Sequence, residues 1–164
     1  MPSETPTKPS SIEAAESEIR FQNYETVHAW SQDGTYRFGR NGSENRVTFT
    51  DEELAMVKDS IFLHNHPTGT TLSRQDVYFL SEYDPAEVRI CTAKARFILY
   101  RPVGGWSEDT WAAYNRAFRI EAGRHKKDYE SGKITEKTLD SRTYKDTMKR
   151  FVRELGIDYR EETF

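Results

Sequence analysis

The sequence predicts an α/β chain of the α+β kind: a mixed β-sheet with flanking helices, followed by a C-terminal helical hairpin. Three observations carry this. Short apolar runs bounded by Gly, Pro or Asp-Gly turns recur between residues 24 and 105. Helix-start signals fall among them, at Thr50 and Ser73. From Ser107 onward the apolar residues recur at three- and four-residue steps.

Residues 1–10 are rich in Pro, Ser and Thr and read as a disordered tail. Ser10 or Ser11 caps a helix over residues 12–19. Thr26, Val27, Ala29 and Trp30 form one arm of a hairpin, and Thr35, Tyr36 and Phe38 the other, with Asp33-Gly34 as the turn. A turn at Asn41-Gly42 leads to an alternating strand over 46–49. Thr50, with Glu53 three residues on, opens a short helix as a capping box. An apolar strand at Ile61, Phe62 and Leu63 and a helix over 74–82 follow, and Asp84-Pro85 ends that unit. Residues 88–92 and 96–100 are two strands about a tight turn at 93–95. Trp111, Tyr114, Phe118 and Ala122 lie on one helical stripe. After a break at Ser131-Gly132, Tyr144, Met148, Phe151, Val152 and Leu155 repeat it, with Gly156 as the terminating glycine. The basic run from Arg124 to Lys127 reads as a solvated helix face with His125 exposed. The expected organisation is a tail over 1–10, a metal-binding α/β domain over 11–105, and a helical hairpin packed on it over 106–164.

Composition narrows the function classes. Twenty-four Lys and Arg oppose 27 Asp and Glu among 164 residues, a net charge of -3. This gives no general attraction to nucleic acid or anionic membrane. Mean hydropathy is -0.86, no apolar stretch approaches bilayer length, and no signal-peptide segment is visible. The lone cysteine, Cys91, sits in an apolar run and excludes an intrachain disulfide, which points to a reducing, cytoplasmic compartment.

The chemistry concentrates in His64-Asn65-His66-Pro67 and Ser73-Arg74-Gln75-Asp76. On a strand, residues i and i+2 face the same way, so His64 and His66 converge where the strand ends. Pro67 ends the ladder. Ser73 caps the next helix and places Asp76 in its first turn, near that strand end. Two imidazoles and one carboxylate form a zinc donor set with one position left open. Each residue also has a plainer reading: Ser73 and Asp76 as a capping box, Asp76 as an acid favourable to the helix dipole, and the histidines as surface residues.

The segment from His64 to Asp76 resembles the JAMM (MPN+, JAB-domain) metalloprotease signature. Its HNHP start is similar to the RadC-type and phage head-morphogenesis branches. Six residues, 67–72, separate His66 from Ser73, one fewer than the family's common spacing. The resemblance covers about residues 24–100. It implies a JAMM/cytidine-deaminase-like sheet, a zinc cofactor on His64, His66 and Asp76, and hydrolysis of a peptide or isopeptide bond. It further implies a general base: a Glu on an earlier strand. Among Glu25, Glu44, Glu52 and Glu53, the family's first hairpin matches Glu25, while Glu44 sits in a turn and the other two open a helix. Ser73 would donate to the developing oxyanion. The implied partner is a protein or peptide, such as a ubiquitin-like protein or a phage structural protein, with neither membrane nor nucleic acid expected. His28 is a weaker alternative ligand.

Other readings remain open. One is a catalytically silent metal-binding or assembly module, for example a phage-morphogenesis or toxin-associated component. Another is an HNH-type nuclease, but that motif spreads its residues over a longer unit than this triplet spans.

Overall fold

A computed structural model describes residues 4–164. A six-stranded mixed sheet carries the fold, with strand order β2-β1-β3-β4-β5-β6. The elements run α1 (Ile12–Ile19), β1 (Thr26–Trp30), β2 (Tyr36–Asn41), α2 (Asp51–Ala55), β3 (Ile61–Asn65), α3 (Arg74–Tyr83), β4 (Glu87–Cys91), β5 (Ala95–Tyr100), α4 (Glu108–Glu130), α5 (Glu136–Leu155) and β6 (Tyr159–Thr163). Among the described residues only β3 and β4 pair in parallel, joined by the crossover helix α3.

The first hairpin turns where Asp-Gly is written. Gly34 takes the left-handed conformation at φ 90°, and Ser31 N–H donates to Thr35 O. Thr50 caps α2 in a reciprocal box with Glu53. Gly156 ends α5 in the left-handed region.

The two sheet faces are covered differently. On one lies α1, whose Ala15 and Ile19 meet Trp30, Leu63 and Cys91. Glu16 is buried there and is held by Arg89 at 3.2 Å and Arg96 at 2.6 Å. A buried carboxylate is tolerable because two guanidinium groups meet it. The other face carries Phe62, Val88, Ile90, Phe97 and Leu99 beneath α3, α4 and α5. Tyr114 and Phe151, both fully buried, stack edge-on at 5.3 Å in the centre of that layer. The pairs Arg116–Glu154, Glu121–Arg150 and Arg124–Asp146 have nearly constant residue-number sums, so α4 and α5 run antiparallel.

Four details depart from the sequence expectation. Residues 46–49 form no strand; Val47 and Phe49 pack on Phe38 and Phe62, but both edges of β1 are already taken by β2 and β3. The 158–164 segment returns to the sheet as β6 and pairs antiparallel with β5. His125 is buried, not exposed, and contacts Asp146. In the expected tail, residues 1–3 lie outside the described residues, while Glu4 O accepts from Asn41 N–H at the β2 edge.

Phe151→Ala is expected to destabilise the protein by about 3–5 kcal/mol, whereas Val103→Ala, at a fully exposed site, should change stability by less than about 0.5 kcal/mol. Urea midpoints of the two variants test whether the helical pair and the sheet share one core.

Candidate metal centre

The site forms where β3 runs out. His64 lies on the helix-covered face with Phe62. His66 is one residue past the strand, yet its N–H still donates to Cys91 O at 2.9 Å. Pro67 then ends the ladder. Gly69, at φ 77°, turns the chain, and its N–H donates to His66 O. At the far end of the loop Leu72 is buried, and its carbonyl accepts from the Tyr114 hydroxyl at 2.7 Å. The loop is thus held at both ends before α3 begins.

Ser73 caps α3. Its hydroxyl accepts from Asp76 N–H at 3.1 Å, and its own N–H donates to Asp76 Oδ2 at 2.7 Å. That box fixes the carboxylate in front of the histidines. His64 Nε2 stands 3.1 Å from Asp76 Oδ1 and 2.9 Å from His66 Nε2; His66 Nε2 stands 3.2 Å from Asp76 Oδ2. Both imidazoles are buried. Three donor atoms therefore point at one place.

The His66 ring is set for ligation. Its Nδ1 lies 2.9 Å from Thr70 O. A carbonyl only accepts, so Nδ1 carries the proton and Nε2 is left with its lone pair. The arrangement fits a divalent metal that prefers mixed nitrogen and oxygen donors.

Electrostatics agree. Burial would lower the His66 pKa, but the Asp76 charge and hydrogen bond, the Thr70 carbonyl and Glu25 raise it to about 9. Burial would raise Asp76, but His66 and His64 hold it well below the usual carboxylate range. A proton on His66 supplies the positive charge that faces Asp76.

Glu25 lies two residues before Val27, the register partner of His64, and so falls on the same face. It shares a cavity of about 140 Å³ with His64, Asp76 and the rings of Phe49, Phe62 and Phe79. Burial raises its pKa above the ordinary value; His64 and His66 oppose this and Asp76 adds to it.

Comparison of the chain with protein-family models, with curated proteins and with solved structures found no match. The geometry alone therefore carries the reading of the site.

The structure brings His64, His66, Asp76 and Glu25 together, with Ser73 behind Asp76. It excludes His28, whose register partner is Leu63: it faces the α1 side, buried beside Trp30 and Tyr36, and its pKa falls to about 4 through burial. Two positioning residues escaped the sequence reading. Asn65, fully buried, accepts from Thr26 N–H at 2.7 Å and donates to Tyr24 O at 2.9 Å, clamping the backbone on both sides of Glu25. Its signal was an amide placed between the two histidines and so turned to the opposite face of the strand. Tyr114, at the Leu72 carbonyl, gave no local signal.

Glu121, His125 and Asp146 form a second group that could hold a metal. There Arg150 and Arg124 already contact the carboxylates, at 2.9 Å and 2.7 Å on Glu121. Two guanidinium charges oppose a cation, so this group is foremost the tie between α4 and α5.

Purified protein is expected to hold about one divalent metal ion per chain, and His66→Ala and Asp76→Asn should each lose most of it; elemental analysis reads this. Binding must displace the His66 proton, so apparent metal affinity should rise by about tenfold per pH unit up to about pH 9. For the metal-free protein the raised His66 pKa has a definite sign. Its stabilising contribution is complete below the ordinary value of 6.5 and is lost as pH rises through about 9. Thermal unfolding at increasing pH, with and without metal, should show the loss only without it.

Proposed function

We propose that the protein is a zinc-dependent hydrolase of peptide or isopeptide bonds. The observation that carries this is the convergence of His64, His66 and Asp76 on one point beside a half-buried acid, Glu25, that makes no ion pair among the described residues. Two imidazole nitrogens and one carboxylate oxygen are the donor set of catalytic zinc sites. The fit is reinforced by the Thr70 carbonyl, which fixes the His66 tautomer. Zinc in such a set supplies Lewis acidity and makes water a nucleophile near neutral pH.

The residues of the chain do the rest. Glu25 takes a proton from water in the shared cavity and later returns it to the leaving amine. Burial raises its pKa above that of an exposed carboxylate, which makes it the better proton acceptor. Phe49, Phe62 and Phe79 line the cavity and give the reacting groups an apolar wall. The oxygen of Ser73 accepts from Asp76 N–H, which leaves its O–H to donate to the developing oxyanion. The rival reading, a silent metal-binding or assembly module, needs the ligands but not Glu25.

Glu25→Gln should retain zinc and melting temperature while losing about a hundredfold or more in rate. His64→Ala should lose zinc and rate together. A panel of ubiquitin-like isopeptide linkages, phage structural proteins and generic peptides serves as substrate. An equal rate in Glu25→Gln removes Glu25 from the chemistry, and a zinc-loaded native protein inert across the panel supports the assembly module.

A further inference from the structure

A groove of about 780 Å³ runs along the other side of the 67–71 loop, between that loop, the β4–β5 turn and α5. Such a volume lies within the roughly 300–1,000 Å³ range of ligand clefts. Four lysines line it: Lys94 from the turn and Lys137, Lys145 and Lys149 from α5. The α5 lysines lie on a row of four-residue steps through Ser141, a ridge along one side of the helix. Glu161 is the one carboxylate in the lining, and it accepts from the Tyr159 hydroxyl.

None of the four lysines forms an ion pair among the described residues, whereas Lys126 and Lys133 do, with Glu130 and Asp128. In a chain of net charge -3, acidic partners are plentiful, yet this row lacks them. Four like charges gathered about a single carboxylate still repel one another, and a ligand of opposite sign relieves that repulsion.

We infer that this groove binds an acidic polypeptide segment, the part of a substrate that flanks the bond delivered to the histidine site. The inference rests on the hydrolase reading for the second half of that statement. The wall of the groove is the loop that holds the metal ligands: Thr70, in the lining, accepts from His66 Nδ1. A chain lying along the lysines rests against the loop that joins His66 to α3. The lining chemistry favours polypeptide over nucleic acid. It offers no arginine for bidentate phosphate or base contacts. Its one aromatic side chain, Phe97, is buried and presents no open ring face for a base. Lysine ammoniums on flexible stems, with Thr68, Thr70 and Ser141 hydroxyls beside them, suit irregularly spaced carboxylates.

The test uses the full chain loaded with zinc and a short fluorescein-labelled poly-glutamate peptide, read by fluorescence anisotropy. A glycine-serine peptide and an oligothymidylate of equal charge are the comparison probes. Poly-glutamate should bind more tightly than either, and added salt should weaken it. The triple variant Lys137→Glu, Lys145→Glu and Lys149→Glu should weaken it by about tenfold or more while zinc content and melting temperature stay unchanged. Lys126→Glu, on α4 away from the groove, should leave binding as it was. His66→Ala should abolish cleavage yet keep poly-glutamate binding, so a failed hydrolase reading and a failed groove reading are separable. Binding that survives the triple variant, or that is no tighter than that of the glycine-serine peptide, overturns the inference. Tighter binding of the oligothymidylate than of poly-glutamate overturns the polypeptide assignment.

Discussion

The site depends on the antiparallel pairing of β1 with β3, and on the Asn65 side chain that locks its open end. Strand pairing puts Val27 opposite His64; one amide then holds the backbone immediately before and after Glu25. The Glu25 backbone is also tied on its own side, its N–H to Ser43 O and its carbonyl to Gly42 N–H. An acid fixed by four backbone hydrogen bonds around it has little freedom to swing away. The position of Glu25 is thus set by the sheet, and the positions of His66 and Asp76 by the loop and cap of α3.

These polar groups sit at a junction between two apolar clusters. Phe49, Phe62 and Phe79 lie on one side, and Leu72, Val77 and Ile90 on the other. Low surrounding polarity makes each charge costly alone and each opposite-charge contact strong. There Asp76 keeps its negative charge and His66 is held protonated against it. Some positive charge must be shared among them, either protons or a metal ion. That necessity, more than any single distance, distinguishes this cluster from Glu121, His125 and Asp146, where arginines already supply the charge.

The histidine spacing and the Ser73 cap were legible in the sequence because both are local: a strand period and a first helical turn. The two readings of Asp76, cap partner and ligand, turned out not to compete, since Oδ2 accepts from Ser73 while facing His66. Glu25 was reachable only through family resemblance, because its neighbourhood arises from a pairing thirty-odd residues away that no local pattern encodes. His125 was misplaced for a different reason. Its basic neighbours suggested solvent, but it continues the buried stripe of Tyr114, Ala117 and Glu121 at helical steps. The alternation of Val47 and Phe49 reported burial of one side and not ladder pairing. β6 was invisible because an exposed edge strand needs no apolar alternation; its partners are ionic and aromatic, Glu162 with Arg96 and Arg160 over Tyr100.

That last strand has a kinetic meaning. β1 with β2, and β4 with β5, close over short turns and can form early. β6 can join β5 only after α4 and α5 have folded back across the intervening chain, a loop closure of high entropic cost. His64, His66, Asp76 and Glu25 all precede that closure in the chain. Tyr159–Thr163 should therefore be the last strand to zip and the first to fray, and its amides the earliest of the sheet to exchange with solvent.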